Sequence, residues 1–141
     1  MPGLDMSVPQ PIRVLIVDKH AAVRQALAMC LAAYDDLCLA GEAASGDEAI
    51  RQCARVHPDV VLLDVTLPDM PGLSVATAIR KTWSPAAVVA MCSFQEERSV
   101  REVLESVAMG YLLKNVSADQ LAHAIRSAHA GRSGLPAELS A

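Results

Sequence analysis

Residues with reactive side chains follow four short apolar runs of this sequence. They are two aspartates, two lysines, a cysteine and a serine, namely Asp18, Lys19, Asp64, Cys92, Ser93 and Lys114. A carboxylate can attack phosphorus, while cationic groups neutralise the charge on the oxygens of the group in transfer. Each residue alone is weak evidence, but the combination indicates phosphoryl transfer onto a carboxylate.

Asp64 is the expected acceptor, because it follows four apolar residues that should hold its carboxylate on a rigid strand end. Lys114 could pair first with this carboxylate and later with the phosphoryl group. Asp18 would help to hold Mg²⁺, which prefers oxygen ligands and keeps several of its waters. For Asp18 by itself, an Asx-type turn is the more ordinary explanation.

The elements that must position these residues alternate between strands and helices. Mostly continuous apolar runs predict strands at residues 12–17, 37–40, 60–63, 86–91 and 111–113. Parallel neighbours need long crossover connections, which the helical segments between the runs supply. We therefore expect an α/β fold with a flavodoxin-like, doubly wound, five-stranded parallel sheet in the order 2-1-3-4-5. Its ligand crevice lies outside the carboxyl ends of strands 1 and 3.

Apolar residues at helical spacing predict five helices between and after these strands. The inward positions are Val23, Ala26, Leu27, Cys30, Leu31 and Tyr34 in the first helix, Ile50, Cys53 and Ala54 in the second, Val75 and Ile79 in the third, Val100, Val103, Leu104 and Val107 in the fourth, and Leu121, Ala124, Ile125 and Ala128 in the fifth. Ser45 with Glu48 and Ser117 with Gln120 predict capping boxes for the second and fifth helices. Gly131 would supply the final C-cap.

Composition indicates one folded domain. The 141 residues are 52% hydrophobic, carry a net charge of −4 and lack the dense basic cluster typical of nucleic-acid binding. The four cysteines include no Cys-x-x-Cys pair and are expected to be buried free thiols in a reducing cytoplasm. No apolar run reaches the roughly 20 residues that span a membrane. We expect a flexible leader at residues 1–11, the domain at 12–132, and a tail or output-domain linker at 133–141.

Residues 60–72, VVLLDVTLPDMPG, resemble the phosphoacceptor loop of response-regulator receiver domains. Residues 14–18, VLIVD, are similar to the acidic corner of that family, and residues 110–114, GYLLK, to its terminal strand with lysine. The resemblance covers residues 12–132 and is strongest to receivers of the NarL/FixJ type, which usually precede a LuxR-type helix-turn-helix domain. It implies that a sensor histidine kinase phosphorylates Asp64, that the protein regulates transcription, and that DNA is bound only through an output domain outside this chain.

The resemblance also implies roles for single residues. Mg²⁺ would be held by Asp18, Asp64 and the backbone carbonyl of Thr66, whose position also influences phosphoryl loss to water. Tyr111 occupies the aromatic switch position, although a packed aromatic on an edge strand explains it equally well. The face formed by the fourth helix, fifth strand and fifth helix would change dimerisation, and a homodimer would use the outer faces of the first and fifth helices and the fifth strand at the sheet edge.

Two positions depart from the family pattern. Lys19 stands where the family usually has a second acidic residue, and Cys92 aligns with its Ser or Thr at the end of strand 4. A thiol is a weak donor to a phosphoryl oxygen, and Ser93 could compensate only after a local shift. We expect Lys19 to point into the acidic pocket, to pair with Asp18 or Asp64, and to weaken Mg²⁺ binding. The alternative for this residue is a solvated lysine.

Two other functions are weighed against the phosphorylated switch. A pseudo-receiver, an interaction module that works without phosphate, is favoured by Lys19 and Cys92. A flavin-binding or hydrolytic enzyme on the same fold is disfavoured, because the sequence has neither a glycine-rich phosphate loop nor a Gly-x-Ser-x-Gly elbow. No enzymatic activity is expected beyond self-phosphorylation and autodephosphorylation.

Overall fold

The computed structural model describes residues 10–92 and 108–132. The strands are β1 (Ile12–Val17), β2 (Leu37–Ala43), β3 (Val60–Asp64), β4 (Ala87–Cys92) and β5 (Ala108–Leu113), and the helices are α1 (Ala21–Ala32), α2 (Gly46–Val56), α3 (Gly72–Thr82) and α4 (Ala118–Arg132). The fourth helix predicted from the sequence falls outside the described residues. Helix α4 therefore corresponds to the fifth predicted helix.

The strands form one sheet in the order β2-β1-β3-β4-β5, and all neighbours are parallel. The predicted fold class and strand order are confirmed. Strands β3 and β4 are buried along their whole length, because helices cover both faces of a doubly wound sheet. The winding reverses between β1 and β3, so the crevice lies outside the carboxyl ends of these two strands.

Four strands extend beyond the apolar runs that predicted them; β4 does so by one residue, since it spans Ala87–Cys92 rather than 86–91. Strand β2 continues through Gly41 and Glu42, which pair with β1. Strand β3 ends on Asp64, which pairs with Met91 of β4, and β5 begins at Ala108. Pairing with a neighbouring strand, rather than apolar character alone, sets these ends, because backbone N–H and C=O groups must be satisfied.

Two apolar layers lie on opposite faces of the sheet. Helices α2 and α3 cover one face, and α1 and α4 cover the other. The buried helical residues are Ala49, Cys53, Val75, Ala76 and Ile79 in the first layer and Leu31, Leu121, Ala122, Ile125 and Ala128 in the second. These residues include most of the predicted inward positions of α3 and α4.

Three local predictions about the helices are wrong. Ala26 of α1 and Ala54 of α2 were expected to face the sheet, but both are exposed. An alanine buries little apolar area, so helical spacing alone does not determine its side of the helix. Gly131 does not cap α4, because the helix continues through it to Arg132, the last described residue.

Side chains cap the first turns of α2 and α4. Ser45 Oγ accepts a hydrogen bond from the N–H of Glu48 at 3.2 Å, and the Glu48 carboxylate accepts one from the N–H of Ala44 rather than that of Ser45. At α4 both reciprocal bonds form between Ser117 and Gln120, at 3.1 and 3.0 Å. Both predicted helix starts are therefore confirmed, and the capping box is complete at α4.

All four cysteines are free thiols, as expected. Cys53 and Cys92 are buried, whereas Cys30 and Cys38 are partly buried. Burial raises the pKa of the Cys53 thiol to about 11, so it stays protonated and unreactive at neutral pH. Within the described ranges, no helix combines the length and the apolar character needed to cross a membrane.

Candidate functional site

Two aspartates lie side by side at the carboxyl edge of the sheet. Asp64 is the last residue of β3, and Asp18 directly follows β1. The two strands are neighbours, with Val17 paired to Leu63, and both aspartate residues are fully buried. Because a buried carboxylate is costly unless it is paired, this edge must supply positive charge.

Lys114 supplies part of that charge from the loop that follows β5. Its Nζ lies 3.0 Å from Asp18 Oδ2 and 3.3 Å from Asp64 Oδ2, and its backbone N–H donates to the carbonyl of Cys92 at 3.0 Å. Burial lowers the pKa of Lys114, but the two carboxylates more than offset this effect, so the net pKa is raised. Lys114 is therefore a permanent cation that bridges the two aspartates.

The second oxygen of Asp64 is held by the loop that follows β3. The backbone N–H and the hydroxyl of Thr66 both donate to Asp64 Oδ1, each at 2.9 Å. Burial raises the pKa of Asp64, but these two hydrogen bonds and the ammonium groups of Lys114 and Lys19 outweigh burial and lower the net pKa. Asp64 is thus ionised at neutral pH, as a nucleophilic carboxylate must be.

Lys19 points into this pocket. Its Nζ donates to the backbone carbonyl and to the hydroxyl oxygen of Thr66, both at 2.7 Å, and lies 3.5 Å from Asp64 Oδ2. One third of the side chain stays exposed. Of the two pairings considered from the sequence, the structure places Lys19 on Asp64, and Asp18 pairs instead with Lys114.

Asp18 also forms the turn that its position suggested. Its Oδ1 accepts a hydrogen bond from the N–H of His20 at 2.8 Å, two residues along the chain. Arg24 of α1 donates to the backbone carbonyl of Asp18 at 2.7 Å and pairs with Glu42 of β2 at 3.0 Å. Asp18 therefore combines a turn with a position in the pocket.

No role was predicted for Arg24 or Glu42 from the sequence. In the sequence they are merely an arginine in the first turn of α1 and an acidic residue after the apolar part of β2. The side chains meet because β2 continues beyond its apolar residues. The pair holds the backbone on which Asp18 and Lys19 stand, and it does not touch the carboxylates.

Residues 14–126 match the family model of the response regulator receiver domain. This match spans most of the chain. The chain belongs to the response-regulator receiver family. The acidic pair, the Thr66 loop and Lys114 therefore lie at the carboxyl edge of a receiver domain.

Individual receivers and regulators resemble the chain over most of its length. It is 37% identical over 122 residues to the response regulator protein VraR of Staphylococcus epidermidis, an alignment that covers 86% of this chain and 58% of VraR. It is 36% identical over 129 residues to the transcriptional regulatory protein LiaR of Bacillus subtilis, covering 92% of this chain and 61% of LiaR. The receiver thus spans about three fifths of these relatives.

A solved structure shows the same fold. The signal receiver domain of the response regulator NarL from Mycobacterium tuberculosis superimposes with a TM-score of 0.78 at 28% identity. The superposition covers 90% of this chain and all of that one. A LuxR-family response regulator from Aurantimonas gives a TM-score of 0.79, also at 28% identity, over 87% of this chain and 88% of that one.

The oxygens of this receiver pocket suit a hard cation. Asp18 Oδ2 and Asp64 Oδ2 are buried and accept no hydrogen bond of good geometry; lysine ammonium groups approach them as ions. With the Thr66 carbonyl they provide an all-oxygen donor set of the kind that Mg²⁺ prefers. Across the described residues, however, no three His, Cys, Asp or Glu side chains form a group suited to a metal; the residue next to Asp18 is the basic Lys19.

The remaining residues singled out from the sequence lie around this edge. Cys92 ends β4, is buried, and its carbonyl accepts from the Lys114 N–H. Tyr111 is on β5 with 39% of its surface exposed, so its ring is not packed as a core aromatic. Ser93 falls outside the described residues.

Proposed function

We propose that this receiver accepts a phosphoryl group on Asp64 from the phosphohistidine of a sensor histidine kinase. The observation that supports this most strongly is the state of Asp64 Oδ2. This oxygen is buried, lies within 3.5 Å of two ammonium groups and accepts no well-aligned hydrogen bond. Its lone pairs are therefore available for attack, whereas Oδ1 is engaged by Thr66.

In the transfer, Asp64 Oδ2 forms a bond to phosphorus while the bond from phosphorus to the donor imidazole nitrogen breaks. The electron pair of that bond stays on the nitrogen, and Asp64 becomes an acyl phosphate. Lys114, already 3.3 Å from Oδ2, stabilises the charge on the phosphoryl oxygens as the new bond forms. Thr66 keeps the carboxylate oriented through Oδ1.

Mg²⁺, when held by Asp18, Asp64 and the Thr66 carbonyl, would neutralise further charge on the phosphoryl oxygens. Cys92 stands at the end of β4, where its thiol would be a weak donor to those oxygens. Tyr111, exposed on the edge strand, is the residue whose position would report phosphorylation to the surface. These roles rest on resemblance to the family and on the placement of the residues.

We further propose that the output of this switch is control of transcription. The relatives include LiaR, a transcriptional regulatory protein, and the chain spans 61% of its length. DNA would then be bound by an output domain of a longer protein, in the cytoplasm. Phosphorylation would change dimerisation of the receiver, with the outer faces of α1 and α4 and the edge strand β5 as contact surfaces.

The phosphoryl acceptor can be tested by intact mass after incubation with acetyl phosphate and Mg²⁺. We expect one added phosphoryl group on the parent protein and none on Asp64→Asn. Asp35→Asn is the control for the loss of charge, because Asp35 is an exposed carboxylate between α1 and β2, away from the pocket. Labelling of Asp64→Asn, or no labelling of the parent under conditions that label another receiver, would contradict the proposal.

A further inference from the structure

Lys19 lies among the oxygens that would bind Mg²⁺, namely those of Asp18, Asp64 and the Thr66 carbonyl. Its ammonium donates to the Thr66 carbonyl at 2.7 Å and lies 3.5 Å from Asp64 Oδ2. Two of the three oxygens suited to Mg²⁺ are therefore in contact with a cation that belongs to the chain. The third, Asp18 Oδ2, faces Lys114 at 3.0 Å.

The charges of this pocket balance without a metal ion. Two buried carboxylates, Asp18 and Asp64, face two ammonium groups, Lys114 and Lys19. With an acidic residue at position 19 the same pocket would hold three carboxylates against a single lysine. A divalent cation would then be needed to offset the excess negative charge, because unpaired carboxylates repel one another and are costly to bury.

We propose that Lys19 is a tethered cation that fills the metal position of the resting receiver and competes with Mg²⁺ for it. An ammonium and a metal ion cannot both occupy the space next to the Thr66 carbonyl and Asp64 Oδ2. Lys19 must therefore leave before Mg²⁺ binds, and its flexible, one-third exposed side chain can swing into solvent. This inference deepens the proposed function, since it concerns the cation requirement of phosphorylation on Asp64.

The competition is measured by titrating Mg²⁺ into the unphosphorylated protein and following the backbone amide NMR signals of His20 and Thr66. These amides donate to the two pocket carboxylates. Trp83 fluorescence is a poor reporter, because Trp83 stacks on His57 and binds the Pro58 carbonyl just ahead of β3. That position is at the opposite edge of the sheet.

Two substitutions distinguish the effect of the Lys19 ammonium from the effect of lacking a carboxylate ligand at position 19. Lys19→Met removes the ammonium without adding a carboxylate, and we expect tighter Mg²⁺ binding than in the parent. Lys19→Asp also adds an oxygen ligand, and we expect affinity about 10- to 100-fold above that of the parent, the range typical of a change at a metal-site residue. Without metal, Lys19→Met should have a lower Tm than the parent.

Lys81 provides the matched control, since it is an exposed lysine in the last turn of α3. Lys81→Met and Lys81→Asp change the net charge equally but lie away from the pocket, and we expect parental Mg²⁺ affinity. If the parent binds Mg²⁺ as tightly as Lys19→Met and Lys19→Asp, or if the Lys81 variants tighten binding equally, the proposal is wrong. The titration needs no phosphoryl donor, so its failure is distinguishable from failure of Asp64 to be phosphorylated.

Discussion

The polar groups at the two edges of the sheet have different kinds of partner. At the amino edge, the Arg13 N–H donates to Asp59 at 2.9 Å, and the Arg13 guanidinium binds the carbonyls of Val56 and His57. Trp83 donates to the Pro58 carbonyl at 3.0 Å. These hydrogen bonds connect neighbouring loops and stabilise the fold at the amino edge.

At the carboxyl edge, by contrast, Asp18 Oδ2 and Asp64 Oδ2 are buried without a well-aligned hydrogen bond. The oxygens are instead approached by the ammonium groups of Lys114 and Lys19, which can exchange for other partners. The amino edge thus ties loops together, whereas the carboxyl edge leaves two carboxylate oxygens in contact with ammonium groups only, as the proposed phosphoryl transfer requires.

The largest expected effect comes from Lys114 at the carboxyl edge. Lys114→Gln removes the cation that bridges both aspartates, and we expect phosphoryl addition from acetyl phosphate to slow about 100-fold, as on loss of a transition-state donor. Intact mass against time measures the rate, and Lys81→Gln is the control for net charge. An unchanged rate in Lys114→Gln would show that the bridge is structural only.

Trp83 tests the amino edge. Its ring stacks on His57 with centroids 4.0 Å apart, and it packs against the core layer under α2 and α3. We expect Trp83→Ala to lower the free energy of unfolding by about 2–4 kcal/mol, measured by urea denaturation with circular dichroism. Trp83→Phe keeps the stacking and should lose only about 1 kcal/mol. Slower phosphorylation of the folded Trp83→Ala protein would show that the amino edge also affects the reaction, and it would contradict separate roles for the two edges.

Ser45 tests whether stability near the carboxyl edge can fall without slowing phosphoryl addition, because it caps α2 close to that edge without touching the carboxylates. Ser45→Ala leaves the N–H of Glu48 without its side-chain acceptor, and we expect a loss of about 1 kcal/mol in stability. The rate of phosphoryl addition should stay at the parental value. Ser117→Ala, at the equivalent position of α4, should cause a loss of the same size.

The smallest expected effect is the pH dependence of stability due to Asp64. Its pKa is lowered in the folded state, so its stabilising contribution is present above the unfolded pKa of about 3.9 and is lost as pH falls through the folded pKa. Because burial opposes the hydrogen bonds and ion pairs, the effect is modest. The free energy of unfolding of the parent minus that of Asp64→Asn should decrease as pH falls, measured by urea denaturation. An increase of this signed value toward acid would contradict the lowered pKa.

Lys114 gives the opposite sign at high pH. Its folded pKa is raised, so its contribution is complete below the unfolded pKa of about 10.4 and is lost as pH rises through the folded value. The free energy of unfolding of the parent minus that of Lys114→Gln should therefore decrease only in strongly alkaline solution.

The sequence predicted the elements of the fold because their signals are local. Continuous apolar runs identified all five strands, and Ser45 and Ser117 identified two helix starts. The ends of β2 and β5 could not be predicted, since they depend on pairing with neighbouring strands. Ala26 and Ala54 were misplaced for a related reason, because an alanine carries little apolar area to fix its side of a helix.

At the site, the sequence predicted which residues converge but not how they pair. Asp18 and Asp64 stand at the carboxyl ends of the neighbouring strands β1 and β3, so their proximity follows from the sheet order. Lys114 follows the edge strand β5, and its long side chain reaches both carboxylates from two strands beyond β3. The contacts of Lys19 with Thr66 depend on the conformation of the loop after β3, which has no periodic signal. Arg24 was missed because its partners are a backbone carbonyl and a residue of β2.

The most direct test of the central claim is to trap the acyl phosphate at its residue. Borohydride delivers one hydride to the acyl carbon as phosphate leaves. A second hydride and a proton then reduce the resulting aldehyde, so that the aspartate becomes homoserine, which peptide mass mapping locates. After incubation with acetyl phosphate and Mg²⁺, we expect homoserine at position 64 of the parent and nowhere in Asp64→Asn. Homoserine at position 18 or 69 instead, or no homoserine in a parent whose intact mass shows one phosphoryl group, would contradict the account.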